Sequence, residues 1–236
     1  ILMSSIKKIS SKDSLGSNIG CVTLTKQFFE SNRMVDNSRK LLPLSFSTFN
    51  NLPVQYMDQI HGVSVETVRQ HCEEPIPKTD ALFSRSSQFS LAIMSADCLP
   101  IALANSKGTK IALLHAGWRG LSNGIINKSL EMFDLKTDRL RAWLAPCISQ
   151  NYYEVGSDVF KAFVGTDPKS AKNFQQFGAK KWKFDIKAEA SRILRKSGVS
   201  VSQSKYCTYK DEDLFYSYRR NKTERRVLTL LWRKNV

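Results

Sequence analysis

The sequence predicts an α+β fold, a single domain of mixed β-sheets flanked by helices. Three observations lead there. Short apolar runs bounded by turn residues recur through the middle of the chain, as buried strands do. Segments with an apolar period of three to four residues follow them, as amphipathic helices do. Strands and helices mix without strict β-α-β alternation, which favours α+β over a doubly wound sheet. The chain has 236 residues, enough for one large domain or two small ones with a real core. No internal repeat or low-complexity linker divides it, so residues 1–14 read as an N-terminal tail and 15–236 as the domain.

In chain order, "NRMVDNSRKLL" (32–42) reads as a short helix. "VQYMDQ" and "VSVETV" read as strands separated by His61 and Gly62. "SLAIMSAD" (90–97), "PIALAN" and "KIALLHA" (110–116) are short, apolar and bounded, so they read as buried strands. From Leu121 the period changes. Ile126, Leu130 and Phe133 fall three or four apart, which predicts a helix over 121–133. "RLRAWLAP" is a further strand. "SDVFKAFV" is a helix with Ser157 or Asp158 as its cap. The clearest helix is 185–198, with Asp185 as cap, Ile186, Ala190, Ile193 and Leu194 on one face, and Gly198 as stop. "RRVLTLLWR" closes the chain as a strand.

Hydrophobic residues make up 42% of the chain, too many for a disordered protein. The net charge is +15 and the pI about 9.7, which suits anionic partners or simply a solvated lysine-rich surface. No segment is long and apolar enough to span a bilayer. The opening stretch lacks the apolar core of a signal peptide. The cysteines, Cys21, Cys72, Cys98, Cys147 and Cys207, are odd in number and form no C-x-x-C pair, which points to free thiols in a reducing, cytoplasmic setting.

The chain holds three histidines, His61, His71 and His115. His61 lies in "QIHG", at a turn between strands. His115 ends an apolar strand and opens "HAGWRG". Cys98 follows another such strand in "SADCLP". Two His and one Cys at strand exits can converge on one Zn²⁺ and leave a fourth position for water or substrate. Bound Zn²⁺ lowers the pKa of that water from about 15.7 to about 7. The spacing matches no local zinc rule, and spacing alone favours a buried thiol beside two hydrogen-bonded histidines. His71 and Cys72, among charges in "RQHCEE", read as loop residues.

Taken in order, "QIHG", "TDALFS", "SADCLP", "IALLHAGWRG", "APCISQNYYEVG" and "FYSYRR" resemble one family over residues 15 to 232. These are the proteins long described as laccase-like multicopper polyphenol oxidases and now understood as zinc-containing purine nucleoside phosphorylases with adenosine deaminase activity. The resemblance implies a metal site at His61, Cys98 and His115. It also implies phosphorolysis of adenosine, inosine, guanosine and methylthioadenosine to base and ribose-1-phosphate, and hydrolytic deamination of adenosine. Its partners would be purine nucleosides and phosphate, handled by a monomer. The chain departs from the family at Ala145-Pro146, where Gly-Pro is usual, at Glu224, which takes a glycine's place in "RRNKTERR", and around "SNIGCVTLTKQFFESN".

On this reading Gly117 and Gly120 let the chain turn and bring backbone close to a ligand. Trp118 either buttresses that turn or stacks on a base. Arg119 either binds phosphate in a bidentate way or pairs with Asp97 or Asp80. Arg219 and Arg220 are further phosphate candidates. Asp97 acts as general acid/base or orients a ligand. A multicopper cluster needs many more imidazoles than three, although a lone copper would take His₂Cys with an axial Met. Met94 lies on the strand before Cys98 rather than in its loop. The H-x-E…P-C-x-x-C signature of zinc cytidine-type deaminases is absent. A metal-free Cys98–His115 hydrolase and a basic nucleic-acid binder remain as rivals. No helix-turn-helix, zinc-finger or RNP pattern joins "YRRNKTERR" to support the binder.

Overall fold

The computed structural model describes residues 7–34, 40 and 46–234. Most of the expected helix over 32–42 lies outside the described residues. One sheet has the strand order β1 (Lys8–Ser10), β2 (Ile19–Leu24), β15 (Val227–Arg233), β7 (Ser90–Ser95), β4 (Leu52–Gln55), β3 (Thr48–Phe49). A second runs β14 (Ser200–Gln203), β10 (Leu140–Leu144), β8 (Leu99–Asn105), β9 (Ile111–Ala116), β6 (Ala81–Ser84), β5 (Val65–Val68). A small third sheet joins β11 (Glu154–Gly156), β13 (Lys181–Phe184) and β12 (Phe174–Gln176). Pairs β4·β7, β5·β6 and β10·β14 are parallel and the rest antiparallel, so both large sheets are mixed.

Alternation along the central strands shows how the layers stack. Ala102, Ala104, Ile111 and Leu113 join Leu91, Ile93, Leu228 and Leu230 in a core between the two large sheets. Ile101, Leu103, Ala112 and Leu114 point the other way, into a core shared with the helices Ile125–Leu130, Ser157–Val164 and Ile186–Lys196. Strands covered on both faces need apolar residues at every position. That is why "IALAN" and "IALLHA" read as continuous runs.

Several elements differ from expectation. Lys8–Ser10, in the segment read as a tail, pair antiparallel with β2 as an edge strand. In place of the single helix expected over 121–133 stand two short helices, Trp118–Ser122 and Ile125–Leu130. Gly124, at φ +91°, breaks the helical path between them. The helix Ser157–Val164 starts at Gly156 with no side-chain cap. In the helix Ile186–Lys196 the Asp185 side chain accepts from the Ala188 amide, the expected cap. The sequence reading missed β2, β3, β6, β14, the small third sheet and the helix Lys26–Ser31.

Candidate metal centre

The antiparallel pairing of β8 and β9 sets the site. Leu99 faces Ala116 and Pro100 faces His115, so the start of one strand lies beside the end of the other. Cys98, just before β8, thereby meets His115. His61 does not leave a strand. It sits in the loop between β4 and β5 at φ +62°, a left-handed conformation more accessible to His than to most residues. Asp80 holds it there. The Asp80 carboxylate accepts from the amides of Ile60 (3.2 Å), His61 (3.0 Å) and Gly62 (2.7 Å). The same carboxylate accepts from Nδ1–H of His115 at 2.8 Å, and the Asp80 carbonyl takes the His115 amide.

The result is a compact set of donors. His61 Nε2 lies 3.8 Å from Cys98 Sγ, the two imidazole centroids are 4.8 Å apart, and all three ligand atoms fall within 4.8 Å of one another. A tetrahedral Zn²⁺ bound to one S and one N would separate those atoms by roughly 3.6 Å. Because Asp80 takes Nδ1–H of His115, its Nε2 is left as the ligand atom, the usual carboxylate–histidine arrangement of metal sites. The residues therefore fit a single tetrahedral ion.

Electrostatics point the same way. Burial on its own would raise the Cys98 thiol, but His115 and the hydrogen bonds from both imidazoles outweigh it and pull the thiol down to about 6. Burial would lower His115, but the Cys98 thiolate and Asp80 push it up to about 9. Burial also opposes the Asp80 carboxylate, yet His115 and the loop amides hold it below its ordinary value. The Cys98 and His115 shifts both run in the direction that favours an imidazolium beside a thiolate.

Gly117 and Gly120 are needed for space rather than for torsion. A Cβ on Gly117 would lie 3.0 Å from the His61 ring and 3.2 Å from Cys98 Sγ, and one on Gly120 would lie 2.8 Å from the Gly62 carbonyl. Trp118 packs partly buried against the helical core, the buttress reading. Arg119 is exposed, with its guanidinium 4.4 Å over the Trp118 ring. Neither Asp80 nor Asp97 is its partner. Both carboxylates are taken by other groups.

Asp97 stands at φ +100°, a strained backbone for a non-glycine residue. Its carboxylate accepts from Thr208 Oγ1 (2.7 Å), Ser217 Oγ (3.0 Å) and the Arg219 amide (2.7 Å). These bonds tie the loop before Cys98 to the short helix Tyr218–Asn221. Asp97 thus orients the ligand loop. Arg219 donates to the Glu154 carbonyl and lies over Tyr153. The Arg220 guanidinium donates to the carbonyls of Thr208, Tyr209 and Phe215, which commits it to holding its loop. His71 stays in a loop outside the triad and Cys72 is exposed.

A cavity of about 190 Å³ opens on the triad, and Gln59, Met94, Ser95, Tyr218 and Arg226 line it beside the three ligands. None of Arg119, Arg219 and Arg220 lines it. The sequence reading did not single out Ser95, Tyr218 or Arg226 for this place. A larger cavity, about 730 Å³, lies along the helix Ile186–Lys196. Arg192 pairs there with both Asp167 and Glu189, and among the described residues no metal-ligand cluster opens on it. Among the described residues, no helix is long and apolar enough to cross a membrane.

The family described as multi-copper polyphenol oxidoreductase laccase matches residues 20–234. Purine nucleoside phosphorylase YfiH of Escherichia coli (strain K12) is 36% identical over 187 residues, which is 77% of this chain and 75% of that one. Purine nucleoside phosphorylase PA4543 of Pseudomonas aeruginosa is 34% identical over 75% of this chain and 73% of its own length. Among solved structures, Neisseria meningitidis protein NMB0706 superposes with TM-score 0.80 at 28% identity, covering 97% of this chain and 100% of that one. YlmD from Geobacillus stearothermophilus has the same fold at TM-score 0.75 and 21% identity, covering 93% of each chain. With nearly the whole fold matched and the His-Cys-His cluster assembled on it, the chain belongs to the family described as multi-copper polyphenol oxidoreductase laccase.

Proposed function

We propose that the protein is a zinc-dependent purine nucleoside phosphorylase, with hydrolytic deamination of adenosine as a second activity. The observation that carries this is the convergence of His61, Cys98 and His115 on one small cavity, in a chain whose curated relatives are named purine nucleoside phosphorylases. In phosphorolysis a phosphate oxygen bonds to C1′ as the C1′–N9 bond breaks. The electron pair goes to N9 of the purine, which takes up a proton. Deamination adds water at C6 and releases ammonia. A bound Zn²⁺ supplies Lewis acidity and lowers the pKa of coordinated water.

The protein's own groups do the rest. Asp80 holds the His115 imidazole and the backbone of the His61 loop, and Asp97 fixes the Cys98 loop. The exposed ring of Tyr218 offers the purine a flat surface at the cavity mouth. At about 190 Å³ the cavity is smaller than the roughly 300–1,000 Å³ of pockets that enclose a whole ligand, so part of a nucleoside would rest on this rim. The excess positive charge draws an anionic co-substrate. A chain acting alone in a reducing compartment suits the reading.

A second reading rests on Met94, which lines the cavity with the His₂Cys set. Such a set also suits one copper ion. Three histidines in the whole chain do not build a multicopper cluster. Metal analysis of the purified protein, beside chromatography of adenosine incubated with and without phosphate, tests both. Zinc with phosphate-dependent adenine release supports the proposal. Copper with phenol oxidation and no purine release overturns it.

A further inference from the structure

We infer that Ser95 and Arg226 form the phosphate-binding end of the triad cavity. The inference rests on the phosphorylase reading above and assigns its anionic co-substrate to residues of this chain. Four buried side-chain atoms find no hydrogen-bond partner among the described residues: Gln27 Oε1 and the hydroxyls of Ser90, Ser95 and Ser129. Only Ser95 among them lines the triad cavity. Ser95 is 2% exposed, and a buried hydroxyl left without a partner carries a desolvation cost. A ligand oxygen in the cavity would remove that cost.

Strand register brings a cation to the same place. Ser95, the last residue of β7, faces Val227, the first of β15. Arg226 therefore stands next to Ser95 across the strand pair, and it too lines the cavity. Its NH1 donates to the carbonyls of Thr223 and Arg225, and NH2 lies 3.9 Å from the exposed Glu224 carboxylate. The guanidinium is thus fixed in direction while its side chain keeps 16% exposure. A hydroxyl and a guanidinium that line one cavity with the His-Cys-His triad make a site for a tetrahedral oxyanion. An anion there lies beside the metal position, where phosphorolysis needs its nucleophile.

The test measures thermal stabilisation of the metal-loaded protein by inorganic phosphate, against chloride at matched ionic strength, together with the phosphate KM for adenosine cleavage. Ser95→Ala should melt no lower than the native protein without phosphate, because the hydroxyl it removes has no partner. It should lose most of the phosphate-induced shift and raise the phosphate KM by about tenfold or more, with metal content and adenosine KM kept. Arg226→Lys should fold and weaken phosphate in the same direction, with Arg226→Gln more severe. His71→Ala serves as control. A parallel arm with adenosine 5′-monophosphate separates free phosphate from a substrate-borne phosphoryl group. Stabilisation by the nucleotide alone overturns the assignment to inorganic phosphate. An unchanged phosphate shift in Ser95→Ala, or a lower melting point without phosphate, overturns the subsite. If native protein binds phosphate through these residues yet cleaves no nucleoside, the subsite stands and the phosphorylase reading fails.

Discussion

The carboxylate of Asp80 lies 2.8 Å from Nδ1 of His115 while it also accepts the His61 amide at 3.0 Å. One fully buried side chain thereby orients the His115 ring and fixes the backbone of His61, two of the three residues that could hold a metal. Asp80→Asn keeps the shape but turns an amide NH₂ toward at least one donor that the carboxylate now accepts from. Metal affinity should fall by about 10- to 100-fold, read by competition with a chelator. The metal-free variant should also lose acid dependence. A carboxyl held below its ordinary value contributes stability above its unfolded pKa, and that contribution is lost as pH falls through the folded value. Native apo-protein should therefore destabilise more steeply than Asp80→Asn as pH drops below about 4.

The Cys98 thiol gives a second pH test. Pulled down to about 6, it is thiolate at neutral pH and protonates only as pH falls through that value. In metal-free protein, alkylation of Cys98 by iodoacetamide should outpace that of the exposed Cys72 at pH 7 and fall off below about pH 6. Peptide mapping by mass spectrometry reads both rates. Metal should protect Cys98 and leave Cys72 reactive. Because metal displaces the proton that His115 holds up to about 9, binding at pH 7.5 should release roughly one proton. Calorimetry in buffers of different ionisation heat measures it.

Gly117 tests how tightly the triad is packed. An added methyl must push aside the His61 ring at 3.0 Å or Cys98 Sγ at 3.2 Å, and both belong to the cluster that could hold a metal. Gly117→Ala should weaken metal binding with little loss of melting temperature. Gly120→Ala meets the Gly62 carbonyl at 2.8 Å, a backbone atom that cannot swing away. It should cost about 1–3 kcal/mol of stability. The two melting curves separate the cases.

What the sequence showed and what it hid have physical causes. β8 and β9 were legible because strands buried on both faces carry apolar residues at every position. Cys98 and His115 were legible because each stands at the end of such a run. Asp80 was visible only as a possible partner of Arg119, since nothing local in "TDALFS" tells that its carboxylate meets a histidine far along the chain. The arginines show the sharper limit. Arg119 stands four residues past a ligand, yet its short helix turns it outward onto Trp118. Arg226 is remote in sequence and reaches the cavity through the pairing of Val227 with Ser95. Composition names the cations, but strand register decides which one faces the metal. Gly124 likewise splits an amphipathic period that alone predicts one helix.

Tyr218 is 47% exposed and lines the triad cavity. The short helix Tyr218–Asn221 that carries it is pinned by Ser217 and by Asp97, which accepts the Arg219 amide. Lys222 Nζ lies 4.8 Å over the same ring. A ring so held offers a face to a purine at little entropic cost, and stacking on an aromatic contributes about 1–3 kcal/mol per base. Tyr218→Ala should therefore raise the nucleoside KM by about 5- to 100-fold and leave the phosphate KM and metal content near native. Tyr218→Phe keeps the ring and should stay near native in every parameter. Equal losses in Tyr218→Ala and Tyr218→Phe would assign the role to the phenol hydroxyl instead. An unchanged nucleoside KM in Tyr218→Ala would remove the ring from the binding surface altogether.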